Sequence, residues 1–311
     1  MKHARYLIGM LAGLFCTVLC GCGSVSLFYE NADRYSVGNA EITDPVENIE
    51  LDWIAGAVRI EYHGEDSILL TETASDTLTK ETTLHWYLDG TTLRIKFAGS
   101  GRLYLRNLHK DLTLTLPEGF SAGSIDISLA SATLDAPELQ AERVEVSTAS
   151  GNVSLVASAT EKIDISSASG RIELTQRGTC RKVDIESASG NITVTSDTVN
   201  DLDIHSASGK VILNAATIGS SALHTASGEI RLTLSGTMGD CDIETASGTV
   251  SLTLPEALGF TADVDTASGN FESEFSLKKS GNKYICGTGE VSIDIETASG
   301  DIYLQTLPSD S

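Results

Sequence analysis

Aromatic residues make up only 5% of the 311 residues, and none lies between Phe120 and Phe260. So long a ring-free stretch excludes a core built on aromatic packing there, and with it the aromatic platforms on which sugar rings stack. Tryptophan occurs twice, methionine three times and proline five times. Basic residues number 21 against 43 acidic ones, a formal net charge of −22. Such a surface repels nucleic acid, so no nucleic-acid partner is expected. Nucleophile elbows of the Gly-x-Ser-x-Gly type, His-Glu-x-x-His helices, phosphate loops and Cys-x-x-Cys pairs are all missing. No enzyme class is indicated, and a non-enzymatic role is the expectation.

Long apolar runs are also missing. The one candidate, Tyr6–Leu19, has about fourteen residues behind Lys2 and Arg5. A bilayer-spanning helix needs roughly 20. This length and these flanks are those of a signal-peptide core. The stretch ends Leu19-Cys20-Gly21-Cys22, the pattern of a bacterial lipobox with Cys22 as the lipidated residue. Bulky Phe15 and Leu19 before Cys16 and Cys20 make those cysteines poorer candidates. A diacylglycerol on Cys22 would supply two acyl chains, enough for stable anchoring. The expected location is therefore extracytoplasmic, on the membrane as a lipoprotein. Removal of Lys2 and Arg5 with residues 1–21 leaves 19 basic and 43 acidic residues, a net charge of −24. Cys180, Cys241 and Cys286 remain, an odd number that gives no complete disulfide framework.

What is present is a repeat. Ala-Ser-Gly occurs eight times, ending at Gly151, Gly170, Gly190, Gly209, Gly228, Gly248, Gly269 and Gly300. The spacings are 19, 20, 19, 19, 20, 21 and 31, and Ser or Thr always precedes the Ala. Ala130-Ser131-Ala132 is a degenerate copy. Five residues before each glycine stands an aliphatic residue such as Ile165, Ile185 or Ile204, and two and four after it stand pairs such as Ile172 and Leu174. Period-two alternation on both sides of a glycine corner means two short strands per unit. Units of about 20 residues cannot bury an apolar side alone, so they stack and share one core. The expected fold is all-β, a single-stranded parallel β-solenoid, or β-helix, of about nine such coils. Its irregular β-rich N-terminal cap lies before the regular repeats. The expected organisation is a signal peptide at 1–21, a tether at 22–46, a β-rich N-terminal part at 47–120, the repeat body at 121–304 and a tail at 305–311. Ser276–Gly289, with Lys278, Lys279 and Lys283, reads as an inserted hairpin.

Two outward columns carry the candidate chemistry. Asp164, Asp184, Asp203, Asp242, Asp263 and Asp294 stand six residues before their glycines. Four before, the column includes Glu186, His205, His224 and Glu244. In-register stacking puts His205 beside His224, flanked by Glu186 and Glu244, with Asp203 two residues along the strand. Two imidazoles and a carboxylate suit a divalent cation such as zinc. The competing reading is a solvated face, with each imidazole paired to a glutamate and no cofactor at all.

The segment Ile49–Ile60 with its Ala55-Gly56 corner, the run Lys110–Pro117, the Ser/Thr-Ala-Ser-Gly corners and the ending Gly289–Ile302 resemble the bacterial "putative adhesin" β-strand-repeat proteins. The resemblance spans roughly 47–304. It implies a β-solenoid domain of unassigned function, surface or membrane attachment and no known catalytic residues. The role it suggests is binding an envelope or host macromolecule, or cell-envelope structure, by a monomer. A polysaccharide-acting β-helix enzyme and an accessory protein of an envelope-stress sensor are the alternatives.

Overall fold

The computed structural model describes residues 24–104 and 108–308. Strands Ala122–Thr148, Val153–Ser169, Ile172–Ser189, Ile192–Ser208 and Val211–Ser227 each bend around the molecule and lie parallel and in register on the next. This is the β-solenoid that the repeat demands. The inward column five residues before each glycine (Val146, Ile165, Ile185, Ile204, Leu223, Ile243, Ile295 and Val264) is buried throughout. Where successive spacings differ by a residue, the extra residue is absorbed at the second corner, between Ala157 and Lys162 and between Gln176 and Thr179. The glycine corner never slips. Ile204→Asp would put an unpartnered charge into this ladder and should cost several kcal/mol. Asp203→Asn, one residue away on the outer face, should stay within about 1 kcal/mol, because Asp203 makes only a partly exposed pair with Lys182. Equal losses in urea unfolding of the two variants would contradict the inward and outward assignment.

Glycine holds the corner because no side chain fits there. A Cβ on Gly170, Gly190, Gly209, Gly228, Gly248, Gly300 or Gly269 would lie 1.8–2.2 Å from the carbonyl oxygen of the corner residue stacked against it. Each of these corners thus packs backbone on backbone.

The stacking order departs from chain order at both ends. The last coil, Val291–Ser299 with Ile302–Thr306, does not lie outermost. It is inserted between the Gly248 coil and the Gly269 coil, pairing with Cys241–Ser247 on one side and Phe260–Thr266 on the other. At the other end, Asn48–His63 stacks on Ala122–Thr148, and the later segments Thr92–Lys96 and Lys110–Pro117 stack outside it. The corners therefore run Lys110, Gly56, Ala132, Gly151, Gly170, Gly190, Gly209, Gly228, Gly248, Gly300, Gly269. Two layers join the nine expected from the repeat, making a rod about 50 Å long at about 4.8 Å per layer.

Both ends are closed by antiparallel strands. Lys283–Cys286 covers the edge of Phe260–Thr266 and folds back on Lys278–Ser280 around Gly281. At the opposite end, Ile68–Ala74 covers Lys110–Pro117 and His85–Asp89 covers Thr92–Lys96. An open solenoid edge would template association with another chain, and short charged strands block that. Rings pack in the end layers: Trp53 against Phe97 at 5.0 Å and Phe260 against Phe275 at 5.1 Å, both edge-on.

The tether expected at 22–46 requires correction. Ser36–Val37 pairs with His85–Asp89, and Ala40–Ile42 with Ile68–Ala74. Ser24–Leu27 pairs with Gly101–Tyr104. Strands of two to four residues are too short to show a period, so only their partners reveal them. The corner lysine of the outermost N-terminal layer is also unusual. Lys110 is fully buried, and its ammonium donates to Glu72, to the Thr82 carbonyl at 2.7 Å and to the Phe97 carbonyl. It lies 4.1 Å from the Phe97 ring centre and 5.0 Å from that of Trp53, whose Nε1 donates to the Lys110 carbonyl. Burial pulls the Lys110 pKa down, against the pull of Glu72.

Candidate functional site

Parallel register turns scattered acidic residues into two continuous outward columns on one face of the rod. The first runs Glu50, Asp126, Glu145, Asp164, Asp184, Asp203, Ala222, Asp242, Asp294, Asp263. The second runs Asp52, Ser128, Ser147, Ser166, Glu186, His205, His224, Glu244, Glu296, Asp265. Like charges one layer apart repel, and the sequence compensates at chosen layers. Arg94 pairs with Glu50 at 2.5 Å and Lys96 with Asp52 at the N-terminal end. Lys162 holds Asp164 and reaches Asp184, and Lys182 holds Asp203 at 2.7 Å and Asp184 at 3.5 Å. Beyond Ala222 this compensation fades.

The inserted coil creates the densest part of the face. Asp294 and Glu296 enter between Asp242 and Glu244 on one side and Asp263 and Asp265 on the other. Six carboxylates form a grid two wide and three layers deep. Among the described residues, the one basic side chain within ion-pair distance of these six is His224, which is charged only when protonated. Partial burial and the charges of Asp242, Asp263 and Glu244 raise the pKa of Asp294. Desolvation and Asp294, Glu244, Asp265 and Asp242 raise that of Glu296. Farther along, desolvation and then Glu145, Asp52 and Glu50 push Asp126 up to about 6. A group whose native pKa is raised binds its proton more tightly in the fold than in the unfolded chain. Its contribution to stability is full below the unfolded pKa and is lost as pH rises through the native value. Asp126→Asn should therefore gain on the parent protein as pH rises from about 4 to about 6, with the gain constant above that. The change should be about 1 kcal/mol, because Asp126 is largely exposed and solvent screens most of the shift. Thermal melts of both proteins across that range would show it, and a gap that does not move with pH would rule it out.

The structure brings His205 and His224 together as expected, but as a face-to-face stack with ring centres 5.0 Å apart and an 11° interplanar angle. His224 Nδ1 lies 3.2 Å from Glu244 Oε2, and its Nε2 lies 3.9 Å from Asp242. Glu186 is the register neighbour of His205, and Asp203 is occupied by Lys182. Parallel side chains on a flat sheet keep their donor atoms apart. The expected zinc set of His205, His224, Glu186, Glu244 and Asp203 is not gathered. Among the described residues no group of three or more His, Cys, Asp or Glu is placed to hold a metal ion.

The serine before each corner glycine lies at the surface; the hydroxyl that is buried stands three before. Thr148, Ser167, Ser187, Ser206, Thr225, Thr245 and Thr297 form that inner column. Thr148 Oγ1 accepts the Gly151 N–H at 2.9 Å. Cys241 is buried between Ser221 and Ile293 in its column, and burial pushes its thiol up to about 12. Cys180 is also buried, Cys286 lies on the hairpin, and all three are free thiols. Cys22 lies outside the described residues.

Asp294 and Glu296 were visible to sequence reading as members of their columns, but their neighbours were not. A spacing of 31 residues signals an insertion, and nothing in it says that the coil after the insertion stacks inside the coil before it.

Among curated proteins none matches this chain. Among solved structures, a "putative cell adhesion protein" from Clostridium sporogenes is 13% identical, with 88% of this chain and 100% of that chain covered and a TM-score of 0.24. "Putative adhesins" from Parabacteroides distasonis and Parabacteroides merdae are 11% and 9% identical, with TM-scores of 0.42 and 0.43. Each covers 88% of this chain and 97% of its own. Residues 46–305 match the family Toastrack DUF4097, and the chain, with its stacked β architecture, belongs to that family, a domain of unknown function.

Proposed function

We propose that this chain is a lipid-anchored, extracytoplasmic and non-enzymatic solenoid whose acidic face binds a cationic macromolecule of the envelope or of a host. The observation that carries this reading is the grid of Asp242, Glu244, Asp294, Glu296, Asp263 and Asp265, which among the described residues has His224 as the one basic side chain within ion-pair distance. A flat array at about 4.8 Å spacing suits the repeating ammonium and guanidinium groups of an extended basic segment. Long-range attraction to the −24 mature chain would speed encounter. The covered solenoid ends support a monomer. The lipobox at Cys22 supports the anchor, and the "adhesin" description of the structural relatives agrees with a binding role.

The test is binding of a lysine-rich peptide to the mature domain by calorimetry across a salt series. Affinity should fall steeply with salt, and Asp294→Asn/Glu296→Gln should weaken it at least tenfold. Equal binding by the variant would remove the grid from the reading. Release of product from an envelope glycan would overturn the non-enzymatic assignment.

A further inference from the structure

The end of the rod nearest Cys22 carries chemistry that the acidic face does not explain. Ser24–Leu27 is paired antiparallel with Gly101–Tyr104, a ribbon that leaves the outermost N-terminal layer between Thr92–Lys96 and Lys110–Pro117. Ser24 follows Cys22 by two residues. At no more than about 3.6 Å per residue, the paired strand begins within about 7 Å of the cysteine backbone. A chain anchored at Cys22 therefore has little slack, which keeps this end of the solenoid within about 20 Å of the surface that receives the acyl chains.

The residues at that end suit such a surface. Phe28 directly follows the ribbon strand and is 79% exposed, the one exposed large hydrophobic side chain among the described residues. Beside it in the chain, Tyr29 packs at a 54° tilt against Tyr35, with ring centres 4.7 Å apart, and Tyr35 in turn lies 5.5 Å from Tyr87. The Arg34 guanidinium lies over the Tyr87 ring at 4.6 Å. Amphipathic rings with a neighbouring cation belong at the headgroup level of a bilayer, where one side of the ring is apolar and the other wet. The repeat body has no such cluster, since no Phe, Tyr or Trp occurs between Phe120 and Phe260. Arg94 and Lys96 cover the acidic columns at this end. The long acidic face would be repelled by an anionic leaflet if the rod lay on its side.

We infer that the N-terminal end of the solenoid rests directly on the membrane through Phe28 and the adjoining tyrosines, so that the rod stands away from the bilayer with the Lys278–Cys286 hairpin at its distal tip. This rests on lipidation of Cys22, part of the function proposed above. In that orientation the grid of carboxylates lies near the far end, about 40 Å from the lipid at about 4.8 Å per layer, within reach of partners outside the envelope surface.

The test uses the full lipidated chain in vesicles of phosphatidylcholine and phosphatidylglycerol whose acyl chains are brominated. Phe28→Trp and Ser280→Trp are compared with the parent protein, and the intact mass is recorded for each. Bromolipid should quench about half of the emission added at position 28 and none of that added at position 280. A diacylglycerol adduct on Cys22 with no quenching at position 28 overturns the membrane contact and leaves the anchor standing. Equal quenching at both positions means that the rod lies flat and overturns the upright orientation. An intact mass without the lipid overturns the anchor, and the inference with it. A protein dimeric in detergent that becomes monomeric with Phe28→Ser assigns the patch to a second copy, which also overturns the inference.

Discussion

Gly209→Ala should destabilise the middle of the stack by about 4 kcal/mol or more, at the far end of what single substitutions do. Two effects add. The backbone of Gly209 has φ of 121°, a region that L side chains rarely adopt. A methyl group there would also sit 2.1 Å from the Gly190 carbonyl oxygen and 2.7 Å from its carbon. Those are backbone atoms held by the next layer, so they cannot swing aside as the end of a flexible side chain would. Relief requires the two coils to separate at the corner, which breaks the ladder on both sides of it. Gly64→Ala is the control, because a Cβ there meets nothing within 4 Å. Urea unfolding should show a large midpoint shift for Gly209→Ala and almost none for Gly64→Ala. Similar midpoints would mean that the corner is looser than backbone-on-backbone packing allows.

Lys110→Met should cost about 3–5 kcal/mol, the usual penalty for leaving one partner of a buried pair without the other. Glu72 has a side chain only 3% exposed, and Lys110 has none of its own exposed. Removing the ammonium strands the carboxylate in an apolar cap and also frees the Thr82 and Phe97 carbonyls that it satisfied. Glu72→Gln should be costly for the mirror reason. The double variant should cost less than the two singles together, by roughly 1–3 kcal/mol, because neither charge is then left alone. Trp53, hydrogen-bonded to the Lys110 carbonyl, gives a local fluorescence signal for the cap. Additive losses in the double-mutant cycle would show that the two residues are not coupled.

These two sites differ in how they could be found. Gly209 is legible in the sequence, since seven glycines at spacings of 19–21 residues announce a corner where nothing larger fits. Lys110 is not. It reads as a surface lysine beside Asp111, and its burial depends on Glu72, Phe97 and Trp53, which reach it only through the strand pairings of the N-terminal cap. The histidines stand between these cases. Their adjacency follows from the 19-residue spacing, but the stacked ring orientation, which keeps their nitrogens from converging on one ion, is a matter of side-chain geometry.

The all-β class, the parallel register, the inward aliphatic columns and the acidic outer face follow from the repeat, because units of nearly constant length stack with their glycine corners in register and alternation decides which side chains face inward. Tertiary structure alone decided the ends. Which coil is outermost depends on which edge a long segment returns to, and the Gly300 and Gly269 coils carry nearly the same pattern, so local chemistry cannot rank them. The Gly300 coil is buried inside, and the antiparallel hairpin covers the Phe260–Thr266 edge of the Gly269 coil. That choice of edge also set Asp294 and Glu296 between two other acidic pairs and so made the carboxylate grid.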